Sequence, residues 1–166
     1  MIESALFVLV GTAIIAGAVY DAATLTIPNW ISLILIVLFP FVAISAGLTL
    51  GEAGVHLGIG FGALVVGILL FAGGIIGGGD AKLFAAVSLY IGTAWLGYAF
   101  AVALAGGAVA CVLIALRWLA ASGFGVHLAW LQHLVKRGAG IPYGVAIAAG
   151  ALFVLPSTHL FLSTTP

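Results

Sequence analysis

Two aspartates are the residues with the most to offer chemically. Asp21 lies in AVYDAATLTIPNW and Asp80 in GGIIGGGDAKLFAAV. They are two of only four acidic residues in 166, in a chain that is 65% hydrophobic and 5% charged. A carboxylate near the centre of a membrane helix costs about 2.5–3.5 kcal/mol on insertion scales, and such residues usually face a protein interior and act there. Two carboxylates held close together share one proton. The ionised member takes a proton from water while the protonated member supplies one to a carbonyl oxygen or a leaving amine. That pairing performs hydrolysis of a peptide bond with no cofactor.

The two surroundings differ. Asp21 falls near the C-terminal end of an expected first helix, where the helix dipole opposes negative charge, and Asp80 at the start of a fourth, where it favours it. Gly77, Gly78 and Gly79 precede Asp80. Glycines admit φ > 0 and close approach of backbone, so a substrate strand or a second helix has room against Asp80. Lys82 is two residues further on, about 200° around the helix from Asp80. It reads as a snorkelling anchor.

The elements that must hold these residues follow from composition. A soluble domain carries about a quarter of its residues charged, so this chain is read as an integral membrane protein. The charges leave uncharged runs over 4–20, 22–51, 53–79, 83–116, 118–135 and 138–166. A membrane-crossing helix needs about 20 apolar residues. The runs accommodate helices near 4–20, 29–47 (entered through Pro28), 55–75, 81–92, 96–117 and 142–162, with a break at GTAWLGY, Gly92 to Tyr98. The expected fold is all-α and polytopic, one domain over 1–166 with about six transmembrane helices. From about Gly125, Leu128, Leu131, Leu134 and Val135 fall on one side of a helix and Gln132, His133, Lys136 and Arg137 on the other, which predicts an amphipathic helix on the cytoplasmic surface. The N-terminal run has Glu3 and no Lys or Arg ahead of it, so it reads as a retained helix, not a signal peptide.

With six crossings, all four basic residues fall on one side, and the positive-inside rule makes that side cytoplasmic. Asp21 and Asp80 share it; Glu3, Glu52 and both termini lie opposite. Trp30, Trp95, Tyr98, Trp118 and Trp130 read as an interfacial belt in contact with membrane lipid. Zero net charge gives no footprint for nucleic acid. Cys111 alone makes neither a disulfide nor a cysteine zinc site. His127 and His133 are not at a ligand spacing, and no metal site is expected.

Three segments together resemble the type IV prepilin peptidases, the G-x-G-D aspartic proteases. DAATLTIPN, Asp21 to Asn29, resembles the segment holding their first aspartate. GGGDAKLFAA, Gly77 to Ala86, is similar to their G-x-G-D motif with the lysine that often follows. IPYGVAIAAG, Ile141 to Gly150, looks like their last proline-aromatic-glycine helix start. The resemblance implies an endopeptidase of the bacterial cytoplasmic membrane that removes the leader of a prepilin on the cytoplasmic side, with Asp21 and Asp80 as its catalytic pair. It implies site-shaping or substrate-binding roles for Gly77, Gly78, Gly79, Lys82, Pro28, Asn29, Pro142, Tyr143 and Gly144. Under it, Lys82 could meet an acidic residue near the start of the pilin helix, and Asn29 could hydrogen-bond near Asp21 or simply open the second helix. The chain opens at its first helix without the paired C-x-x-C region of bifunctional members, so N-methylation is not expected. It looks like the short, peptidase-only CpaA/TadV kind serving Flp-type pili. Two other readings are a presenilin-like or signal-peptide-peptidase-like intramembrane protease, whose Pro-Ala-Leu motif is missing here, and a small proton-coupled transporter, for which the far half offers almost no polar path.

Overall fold

The computed structural model describes residues 2–122, 134 and 140–162, and of residues 2–4 the backbone alone. Among these residues there are helices and turns and no strand. In chain order the helices are α1 (Ile2–Thr24), α2 (Asn29–Ser45), α3 (Leu50–Ala72), α4 (Gly78–Ile91), α5 (Trp95–Ala121), α6 (Tyr143–Val154) and the single turn α7 (His159–Leu162). Short 3-10 turns at Gly92–Ala94 and Leu155–Ser157 join α4 to α5 and α6 to α7. The first five expected helices are present within about five residues of their expected bounds, whereas the sixth, expected over 142–162, ends at Val154 and continues only as a 3-10 turn and the single turn α7. The amphipathic helix expected from about residue 125 lies outside the described residues, apart from the buried Leu134.

Three helical stretches, Ala5–Thr24, Leu50–Ala72 and Gly78–Ala121, are long and apolar enough to cross a membrane. The third is α4 and α5 joined through their bend. α2 and the stretch Tyr143–Ser157 are apolar but shorter. α4 has 14 residues, a rise of about 21 Å, against about 30 Å of hydrocarbon.

Local chemistry sets the boundaries. Thr49 and Glu52 cap α3 reciprocally: the Thr49 N–H donates to Glu52 Oε2 at 2.8 Å, and the Glu52 N–H donates to Thr49 Oγ1 at 3.3 Å. That capping box starts α3 five residues ahead of the expected position. α4 begins at Gly78, so Asp80 sits inside the first turn and not before it. Pro28 stands just ahead of α2 at φ −62°, and Asn29 is the first helical residue. Between α4 and α5, Gly92 takes φ +56°, and a Cβ there would stand 2.3 Å from the buried ring of His56. His56 Nδ1 lies 2.6 Å from the Leu89 carbonyl oxygen and donates to it, so the ring occupies the break and closes the end of α4. Past the break, Tyr98 stacks on Phe84 with centroids 4.8 Å apart, laying α5 back along α4. Tyr98 is therefore fully buried, whereas the sequence places it in the interfacial belt. Trp30, Trp95 and Trp118 are exposed, as a belt requires.

α4 is the axis of the bundle. Every residue from Ala85 to Ile91 is buried. α3 lies against it on glycines: a Cβ at Gly67 would meet Ala81 Cβ at 2.9 Å and Ala81 Cα at 3.2 Å. α1, α2 and α6 complete the core through Ile14, Ile31, Leu35, Leu83, Val87 and Ile147. The chain alternates direction, so the end of α1 and the starts of α2, α4 and α6 share one end of the bundle. Hydrogen bonds join these pieces: Lys82 to Asn29, Gly144 to Asp21, and Arg117 Nη2 to the Gly140 carbonyl. His56, Gly92 and the Thr49–Glu52 cap lie at the other end.

Gly67→Val should cost about 1–3 kcal/mol through overpacking of the α3–α4 contact. Gly62→Ala, where nothing stands within 4 Å of the added carbon, should not lower stability. Thermal unfolding of both variants in detergent checks the contrast.

Candidate active site

The site is assembled by the connection between α1 and α2. After Thr24 the backbone turns sharply: the Leu25 N–H donates to the Asp21 carbonyl at 2.8 Å, and Leu25 takes φ +54°. A leucine in the left-handed region costs about 1–2 kcal/mol. The turn carries Ile27 inward, and Pro28 then restricts Ile27 to extended backbone. Ile27 is buried. Its Cδ1 lies 3.0 Å from where a Gly144 Cβ would stand, and its Cβ lies 3.1 Å from where a Gly79 Cβ would stand. One apolar side chain is thus wedged between the starts of α4 and α6.

Asp21 is 4% exposed. Its Oδ2 accepts the Gly144 N–H at 2.6 Å. The first N–H groups of a helix have no partner within it, and here the start of α6 provides one to a carboxylate. The unfavourable position expected for Asp21, at the end of its own helix, is offset by the positive end of another. Gly144 has no space for a side chain: an added Cβ would lie 2.9 Å from both Asp21 Cβ and Asp21 Oδ2.

Asp80 is half-buried in the first turn of α4. Its Oδ2 accepts the Gly77 N–H at 3.2 Å, and its Oδ1 is buried without a hydrogen-bond partner. Asp80 borders a cavity of about 200 Å³ between α3 and α5, walled also by Gly67, Phe84, Val102, Tyr143 and Ile147. Asp21, near the end of α1, and Asp80, in the first turn of α4, lie close enough for the charge of one to act on the other. Two carboxyl groups from positions 59 apart in the chain therefore lie at one end of the bundle. Each is held by one backbone N–H, and one has an oxygen to spare.

The other residues expected at the site divide. Tyr143 is half-buried, packs its ring on the Gly106 backbone and walls the Asp80 cavity. Pro142 is buried and precedes α6. The room that the glycines offer is already used from within the chain. Gly79 faces Ile27, Gly78 faces Phe71, and Gly77 faces its own Asp80. None of the three has positive φ, which in this loop belongs to Gly74 at +70°. Asn29 does not bond Asp21; its Oδ1 accepts from Lys82 Nζ at 2.9 Å. Lys82 is exposed and on another face of α4 from Asp80. Leu25 and Ile27 were not singled out from the sequence, although the two apolar residues alternate with Thr24 and Thr26 directly before Pro28.

A model of the type IV leader peptidase family matches residues 7–126, a stretch that holds both aspartates and ends before Gly144. No curated protein and no solved structure matches.

Asp21→Ala leaves the Gly144 N–H buried without its acceptor and should cost about 1–3 kcal/mol. Asp21→Asn keeps a side-chain oxygen and should unfold closer to the wild-type temperature. Thermal unfolding of the two variants side by side measures the difference.

Proposed function

Because the chain belongs to the type IV leader peptidase family, we propose that it is a membrane-embedded aspartic endopeptidase in which Asp21 and Asp80 activate water together. The observation that carries this reading is the unpartnered Asp80 Oδ1 at a cavity, with the Asp21 carboxyl held nearby. In the proposed reaction the pair holds one proton. The ionised carboxyl removes a proton from water as the water oxygen attacks the scissile carbonyl carbon, and the protonated carboxyl donates to the carbonyl oxygen. Collapse of the tetrahedral intermediate breaks the C–N bond, and the nitrogen leaves with a proton from the carboxyl that had taken one from water. The Gly144 N–H holds Asp21 in position, and Tyr143 and Phe84 shape the cavity that admits the peptide.

The proposed substrate is a Flp-type prepilin, whose leader precedes an apolar helix. A site among the starts of α2, α4 and α6 suits a bond just outside such a helix. Six crossings of the cytoplasmic (inner) membrane, with both termini outside, would place this end of the bundle at the cytoplasm. The clustering of Lys82 and Arg117 at that end supports the orientation. One cysteine cannot make paired C-x-x-C motifs, which supports cleavage without N-methylation by these 166 residues. Lys82 contributes by tying the start of α4 to the start of α2 through Asn29, and Pro28 by directing Ile27 inward.

Co-expression with a Flp-type prepilin, read as leader removal on a gel, tests this. Asp21→Asn and Asp80→Asn should each slow processing by at least about 100-fold, as loss of an acid–base group does, with membrane insertion intact. Normal processing by either variant would refute the pair. Gly144→Ala, whose added carbon has to displace Asp21, should also lower processing by about 100-fold, the effect of misplacing a reacting group by roughly 1 Å.

A further inference from the structure

On another face of α4 from Asp80, α2 and α3 splay apart and leave a groove of about 1000 Å³. Its walls are apolar, with Leu33 and Ile36 from α2 and Phe61 and Ile68 from α3, and its floor is small, with Ala81 and Ala85 from α4. Three polar side chains break that lining, and they lie in a definite order. Lys82 and Asn29 stand at the mouth, where the ammonium donates to the neutral Asn29 amide, so its charge is not balanced by that partner. Ser32 is one helical turn deeper, about 4.5 Å along α2 from Asn29. It is 4% exposed, it lines the groove, and its Oγ has no hydrogen-bond partner. A buried hydroxyl without an acceptor costs about 1–3 kcal/mol by mutational measures, so this one points to a ligand that brings an acceptor.

We propose that the groove is a binding site for one anionic glycerophospholipid, with the phosphate at Lys82, an ester carbonyl at Ser32 and the acyl chains between α2 and α3. The order of groups decides between occupants. A glycerophospholipid presents an anion, then a carbonyl acceptor a few ångströms deeper, then hydrocarbon, which is the order cation, hydroxyl, apolar wall found here. A helical peptide presents no free carbonyl at that depth, because its backbone is satisfied internally. A zwitterionic headgroup carries its own cation beside the phosphate and gains less from Lys82 than an anionic one does. Trp30, 47% exposed at the mouth and edge-on to Tyr20 at 5.9 Å, stands where headgroups lie. α3 also walls the Asp80 cavity, so a lipid in the groove braces that wall from behind.

Native mass spectrometry of the delipidated protein, given equal phosphatidylglycerol and phosphatidylcholine, tests the site without relying on cleavage. Its failure is therefore distinct from failure of the peptidase reading. Wild type should retain phosphatidylglycerol about fivefold better, the selectivity one lysine supplies. Lys82→Gln, which keeps a donor for Asn29, should bring the ratio close to one. Ser32→Ala should weaken retention of ester-linked phosphatidylglycerol and leave its ether-linked analogue unaffected. Unfolding temperatures in neutral detergent confirm that both variants are folded. Equal retention of the two lipids by wild type, or an unchanged ratio in Lys82→Gln, overturns the proposal. So does displacement of the lipid by a synthetic peptide with an acidic residue ahead of an apolar helix, if Lys82→Gln weakens that peptide and not the lipid.

Discussion

The hydrogen bond from the Gly144 N–H to Asp21 joins residues 123 positions apart and closes the site. A buried carboxylate in an apolar bundle has to find donors, and few exist: most backbone N–H groups are spent inside helices, and only four residues of the chain are basic. The free N–H groups at a helix start are what remain. The start of α6 is therefore drawn onto the end of α1. For the two to meet at 2.6 Å, position 144 has to lack a side chain. Ile27 fills the space beside the bond and brings the start of α4 into the same junction.

The second carboxylate is held more loosely. Asp80 receives one N–H from Gly77 and keeps an oxygen free beside a cavity. A purely structural aspartate would normally have both oxygens satisfied when buried. Asp21 and Asp80 are each held by one backbone N–H, at 2.6 Å and 3.2 Å, at the same end of the bundle. The same helix faces the larger groove on another side, so α4 separates the small cavity beside Asp80 from a wide groove. Both are bounded by α3, which sits on α4 by glycine contact. The position of that one helix sets the width of each.

Much of the helix plan was legible because charges are so rare that each one marks a boundary. The break between α4 and α5 was readable because the uncharged run 83–116 is too long for one span, and Asp21, Asp80 and Gly144 stood out from residue type and motif. Other expectations failed where tertiary contacts decided the outcome. Tyr98 was placed at the interface because aromatic residues favour it, yet stacking on Phe84 buries it completely. Gly77, Gly78 and Gly79 suggested space for a partner, and the space is taken by Ile27, Phe71 and Asp80 itself. Asn29 was a possible neighbour for Asp21 and instead bonds Lys82.

The sequence alone determined the all-helical class, the approximate extent of five helices and the start of a sixth, and the identity of two scarce carboxylates, because each depends on composition and on local periodicity. It could not determine which backbone N–H would hold Asp21, that Ile27 would be the wedge, or that Ser32 would be buried without a partner. Those outcomes depend on which helix ends meet and how closely. That is decided by the packing of side chains far apart in the chain, where one methyl group at position 67 or 144 is the difference between contact and collision.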